Sequence, residues 1–156
     1  ARAVQRARPA AWEGVSLVGY DLNAPIYHPG DVIYLQLWWA AEAQPACDWK
    51  VFAHLLGQPK ADGSLVWAGQ DAEPGQGSVP TSTWQPGELI LDEYQLQLPA
   101  DAPPGEYLLE MGLYEASSGQ RAPVLVSPLD DPAAPQDQGR RVGHAILGAV
   151  MVSSEQ

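Results

Sequence analysis

Cysteine occurs once, at Cys47, and phenylalanine once, at Phe52. A lone cysteine leaves no room for an internal disulfide framework or a cysteine-built zinc site. Lysine is almost as scarce, with only Lys50 and Lys60 in the chain. Nineteen acidic groups against eight basic ones give a net charge of −11. A surface this acidic argues against nucleic acid as a partner, because neutralising phosphates takes Lys and Arg. No apolar run approaches the ~20 residues of a membrane-spanning helix, so no membrane span is expected in this segment. Without a leading Met or a signal peptide, it reads as a soluble piece processed or excised from a longer chain. Catalytic motifs are lacking too: there is no Gly-x-Ser-x-Gly elbow, phosphate loop or His-Glu-x-x-His. No cofactor is implied.

What is present points to β-structure. Apolar residues make up 46% of 156 residues, enough for one domain with a core of its own. Pro and Gly number fifteen each, which suits short strands joined by turns. Residues 28–56 carry the strongest pattern. Ile33, Leu35, Leu37 and Trp39 share one face, and Trp49, Val51, Ala53 and Leu55 share another. Period-two spacing marks strands with one buried face, and the polar bend between the two runs predicts a hairpin at the centre of a sandwich. Further strands are expected over Val15–Leu22 and residues 65–71, 90–98, 106–115, 122–126 and Ala145–Val152. Residues 1–13 read as a linker, residues 14–152 as a single domain and residues 153–156 as a tail. Pro-Gly-acid recurs at Pro29-Gly30-Asp31, Pro86-Gly87-Glu88 and Pro104-Gly105-Glu106, each ahead of a long strand. Pro at the second turn position and Gly at the third suit a type II turn.

Arg2, Arg6 and Arg8 crowd the start of the chain. They read as a frayed basic tail or as a juxtamembrane linker, whose positive charge would favour a cytoplasmic side.

Six tryptophans and six tyrosines supply most of the aromatic surface. If Trp39 and Trp49 face the core, strand parity puts Tyr34 and Trp38 outward on one strand and Phe52 and His54 outward on the next. Cross-strand neighbours on one face touch, so these four form a candidate platform for a sugar ring or a protein partner. The competing reading is a face covered by a loop or by the rest of a larger parent chain. Trp84, beside Thr81, Ser82 and Thr83 in the long loop over residues 72–89, reads either as a loop-borne contact or as a plug over the end of the sandwich. Asp130, Asp131 and Asp137 could ligate calcium or form a plain acidic loop. Asp92 and Glu93 cannot act as a carboxylate pair, because adjacent strand residues point to opposite faces. Asp92 shares the inward parity, as a strand start near solvent or a buried hydrogen-bonded acid. His28, His54 and His144 show no metal-ligand spacing.

Five segments carry a resemblance: GYDL (residues 19–22), HPGD…LQLWW (28–39), VFAHLL (51–56), PTSTWQPGELILDEYQLQLP (80–99) and PPGEYLLEMGLYEASSGQR (103–121). The chain resembles a β-sandwich domain of the soluble C-terminal regions of bacterial membrane glycosyltransferases of the protein-mannosyltransferase type, and of uncharacterised surface proteins. The resemblance implies an extracytoplasmic or cell-surface location, tethered through a preceding membrane region. It carries no catalytic residues, since the transferase chemistry would belong to the membrane portion. The expected fold is an all-β antiparallel sandwich, Ig-like or jelly-roll-like, of about eight strands. The expected function is a non-catalytic accessory domain binding glycan or protein, or else a structural spacer or intramolecular docking domain.

Overall fold

The computed structural model describes residues 3–5, 10–45, 47–124 and 143–154, the first stretch as backbone only. In chain order the strands among them are β1 (Ala3–Gln5), β2 (Ala10–Trp12), β3 (Val15–Leu22), β4 (Ile26–Tyr27), β5 (Val32–Ala41), β6 (Trp49–Leu56), β7 (Val66–Ala72), β8 (Leu89–Gln97), β9 (Gly105–Glu115) and β10 (Ala145–Val152). Two short 3-10 turns, η1 (Pro74–Gly77) and η2 (Thr81–Thr83), lie between β7 and β8. One sheet runs β1-β3-β5-β8, with β2 also paired to β3, and the other runs β4-β10-β9-β6-β7. β4 is parallel to β10 and the other pairs are antiparallel. The chain is an all-β sandwich, as the strand periodicity predicts.

Alternation decides which face each sheet turns inward. Ile33, Leu35, Leu37 and Trp39 of β5 meet Val51, Ala53 and Leu55 of β6 across the core, and Tyr107, Leu109, Met111 and Leu113 of β9 extend the same layer. Fully burying one such side chain is worth about 1.5–3 kcal/mol. Trp39 sits at the centre, its ring 5.7 Å from Trp12 and 6.1 Å from Trp84. At the first two Pro-Gly-acid motifs, Gly30 and Gly87 have φ of 91° and 86°. The closing bonds run from Asp31 N–H to His28 C=O and from Glu88 N–H to Gln85 C=O. Both are turns of the expected kind, needing a residue that tolerates positive φ.

Three expectations are corrected. β5 and β6 are not a hairpin: β5 pairs with β3 and β8, whereas β6 pairs with β9 and β7. Two strands with one apolar face each bury it equally well side by side or face to face. Here the polar bend carries the chain from one sheet to the other. The linker reading of residues 1–13 fails for Ala10–Trp12, because this segment pairs with Val15–Leu17 and puts Ala10 and Trp12 into the core. Of the strand expected over 122–126, the described residues 122–124 carry no strand; Ala122 N–H donates to Leu113 C=O, next to a bridge between Arg121 and Tyr114. Residues 125–142, including Asp130, Asp131 and Asp137, lie outside the described residues.

Candidate functional site

The switch of sheets between β5 and β6 divides the expected platform. Tyr34 and Trp38 face outward on one sheet; Phe52 and His54 face outward on the other, so the sandwich stands between the two pairs. Phe52 is buried, with the Arg121 guanidinium 4.4 Å above its ring and Tyr114 and His54 beside it. Trp84 is 1% exposed, and its indole N–H donates to Val79 C=O at 2.9 Å. It is the plug of the two readings. Its loop is fastened from below: the Thr81 hydroxyl donates to Cys47 C=O and accepts from Trp49 N–H, and Ser82 N–H donates to the Asp48 carboxylate.

Tyr34 keeps a site around it. A groove of about 850 Å³ crosses the outer face of β3, β5 and β8. Strand register explains its composition. Gln36 stands opposite Asp21 on one side and Glu93 on the other, and the next row places Tyr34 opposite Gln95. Asn23, just past β3, accepts from Tyr34 N–H through its side-chain oxygen. The Gln36 amide donates to Glu93 Oε2 at 3.1 Å, which holds the carboxylate over the groove. One wall comes from the other sheet's edge. The Gln70 carboxamide accepts from Gln95 N–H at 2.8 Å and donates to Gln76 Oε1 at 3.0 Å, while the Gln76 amide donates to Glu93 C=O at 3.2 Å. Two side-chain amides thus take the place of a strand beside β8.

Gln76 is unusual in holding φ of 58° without being glycine, a conformation that costs energy and needs support. Asp92 supplies it. This inward acid is buried, and its carboxylate accepts from Gly75 N–H at 2.8 Å, the Trp39 indole at 3.2 Å and the Tyr94 hydroxyl at 2.6 Å. Burial pushes the Asp92 carboxyl above the usual range, and these donors pull against it. Of its two predicted readings, the hydrogen-bonded acid is correct. Asp92→Asn keeps the shape but turns a donor toward donors. A loss of about 1–2 kcal/mol in urea unfolding is expected, with loosening of the Gly75–Gln76 turn visible in amide exchange.

Further along the same face the lining turns apolar, with Trp38 among the exposed side chains of Val18, Leu89 and Leu91.

The opposite face of the sandwich carries a cluster that sequence spacing does not reveal. His54 and Glu110 are cross-strand partners on β6 and β9. The His54 Nδ1 lies 3.0 Å from Glu110 Oε1, and the His144 Nδ1 pairs with Oε2 of the same carboxylate. His54 Nε2 reaches Asp71 at 3.3 Å, and the Tyr114 hydroxyl donates to Asp71 Oδ2 at 3.1 Å. Burial acts to lower the His54 pKa, but Glu110 and Asp71 together outweigh it and raise the ring above its ordinary value. Burial acts to raise Glu110, and the two imidazoles outweigh it, holding the carboxyl at about 2. The outward parity of His54 and Glu110 is legible in the sequence, but their pairing depends on β6 lying beside β9. His28 is elsewhere, 3.5 Å from Asp31. Among the described residues no group of three or more His, Cys, Asp or Glu is placed to hold a metal, and no helix is long and apolar enough to cross a membrane.

Comparison with known proteins follows the fold. No family model matches the sequence, and no curated protein matches it. Among solved structures, the C-terminal domain of Wzt superposes with a TM-score of 0.52 at 14% identity, covering 97% of this chain and 83% of that one. The fold is similar to that of the C-terminal domain of Wzt. A sporulation control protein from Bacillus subtilis, Spo0M, also aligns, with a TM-score of 0.41 at 16% identity, over 90% of this chain and 49% of that one. The Wzt likeness supports the expected β-sandwich fold and, at 14% identity, shows the fold alone.

Proposed function

We propose that this is a non-catalytic accessory domain of a larger protein, acting outside the cytoplasm at the cell surface, and that it holds a glycan in the groove around Tyr34. The observation that carries the reading is the lining itself. Tyr34 is 48% exposed and offers a ring for stacking against a sugar. Around it stand the carboxamides of Asn23, Gln36 and Gln95 and the carboxylate of Glu93, each suited to paired sugar hydroxyls. Asn23, Gln36 and Glu93 are held by their neighbours before any ligand arrives, which reduces the ordering cost of binding. Tyr34→Ala is expected to lower glycan affinity at least tenfold, about 1.4 kcal/mol, with the thermal melt nearly unchanged because the side chain is half exposed. An array of bacterial surface polysaccharides followed by calorimetry on the hits measures this. Retention of none of them, or equal binding by Tyr34→Ala, sinks the reading.

The second reading is docking against another part of the parent chain or a protein partner. The apolar stretch at Val18, Trp38, Leu89 and Leu91 supports it. On that reading the isolated chain self-associates in sedimentation and Trp38→Ala relieves it.

A further inference from the structure

We propose that the glycan site does not end at the groove but runs on along β5 to Trp38, so that it takes an extended oligosaccharide rather than a single sugar; the proposal rests on the glycan reading above. Strand register sets the path. The last row of the groove is Asp21, Gln36 and Glu93, and the next row along the same face is Gly19, Trp38 and Leu91. Tyr34 and Trp38 lie on one unbroken strand, and β5 keeps its register with β8 from end to end. Four strand residues on, the second ring stands about 13 Å from the first, a reach of about two to three linked pyranose rings. One sugar cannot touch both rings, but a chain can.

Each part of the second row suits a sugar. Trp38 is partly exposed. Its indole N–H, like the Tyr34 hydroxyl, has no hydrogen-bond partner among the described residues. Tryptophan joins an apolar face to a polar edge. A pyranose has the matching character, with an apolar C–H face and a rim of hydroxyls. Leu91 on β8 and Val18 on β3 are 47% and 51% exposed and form apolar shoulders to the ring. Gly19 puts no side chain opposite Trp38, and among the described residues nothing lies within 4 Å of where a Cβ would stand. β3 has a bulge here, between Leu17 and Gly19. Gly19 is nevertheless outside the left-handed region, so the backbone does not require glycine. Glycine inside a strand weakens it, and is found where a ligand comes close to the backbone. Between the two rings the Gln36 amide is turned to Glu93, whose carboxylate can accept from the hydroxyls of the sugars in between.

The test uses graded fragments of mannan, galactan and chitin, together with fragments of any polysaccharide the array retains, with affinities measured by calorimetry on the whole chain. Affinity is expected to climb about tenfold between fragments of about two and about four sugars, the effect of one further aromatic contact, and then to level off. In Trp38→Ala the ratio of long-fragment to short-fragment affinity falls several-fold. Gly19→Val places a branched side chain on the open floor while suiting a strand, so the ratio falls there too, with the thermal melt unchanged or raised. The readout is a ratio, so a general weakening does not mimic the effect. A wild-type ladder without the rise overturns the inference and leaves the glycan reading intact. So does a rise that survives Trp38→Ala, or that survives Gly19→Val where Trp38→Ala fails to fold. Self-association relieved by Trp38→Ala with the rise untouched assigns the apolar stretch to a protein contact and overturns the inference likewise. Binding of no fragment at any length overturns the glycan reading and this inference with it.

Discussion

Trp84→Ala is expected to destabilise the fold by about 3–5 kcal/mol, the range for truncating a fully buried tryptophan. For a chain of this size that is a fall in Tm on the order of 10 °C. Trp84 is on a loop, where a substitution of this kind would ordinarily cost little. The structure gives the reason for the difference. The indole is 1% exposed and packs 6.1 Å from Trp39, so its removal leaves a cavity in the core beside Trp39 rather than a notch in the surface. It also leaves Val79 C=O without the indole donor. Trp84→Phe separates the two contributions: most of the packing returns, the hydrogen bond does not, and a loss of about 1–2 kcal/mol is expected. Chemical denaturation of the three proteins measures both. A loss below about 1 kcal/mol for Trp84→Ala would mean the side chain swings freely in solution, and the loop-contact reading would return.

The second large effect is a pH dependence centred on Glu110. Its folded pKa of about 2 lies below the ordinary 4.5, so its ionised form stabilises the fold above pH ~4.5 and that contribution is lost as pH falls toward 2. His54 is raised above its ordinary 6.5, so its contribution is complete below that value and disappears as pH rises through the raised one. The cluster therefore stabilises most between about pH 4.5 and 6.5. Glu110 is 6% exposed, so solvent screening is slight, and the acid limb is worth on the order of 2–3 kcal/mol. Glu110→Gln is expected to remove that amount at about pH 6 and much less at about pH 2.5. His54→Gln is expected to flatten the alkaline limb. Asp92 acts in the opposite sense, since its raised pKa makes protonation favour the folded state. Asp92→Asn is thus the background in which the Glu110 limb is read without interference. Urea midpoints from about pH 2.5 to 9 provide the check, and a Glu110→Gln profile parallel to wild type would rule the cluster out as the source.

Faces are legible in the sequence; neighbours are not. The alternation at Ile33, Leu35, Leu37 and Trp39, and again at Tyr107, Leu109, Met111 and Leu113, identifies the buried side of each strand correctly. Period two says nothing about which strand lies alongside, and adjacency in the chain suggests a β5–β6 hairpin that the structure replaces with two strands in opposing sheets. Every misplacement of the platform residues descends from that. Parity puts Tyr34 and Trp38 on the correct face of their own strand, and Phe52 and His54 on the correct face of theirs, yet the pairs never meet. The groove is hidden for the same reason. Its rows need β3, β5 and β8 in one sheet, and its wall needs Gln70 and Gln76 brought in from a segment that sequence patterning shows only as a short strand and a Pro- and Gly-rich loop. Ala10 and Trp12 escape detection because two inward residues on a three-residue strand give no periodicity to read.

The two glutamines at β8 have a consequence for assembly. An outer strand normally displays a row of backbone donors and acceptors that can recruit another chain. On β8, Gln95 N–H and Glu93 C=O are already taken by the Gln70 and Gln76 side chains. An extended peptide seeking to add itself there would have to displace both amides and release the strained turn at Gln76. The margin of the sheet beside the groove is in effect sealed. A ligand of the groove is therefore not expected to enter by pairing with β8 at Glu93 and Gln95.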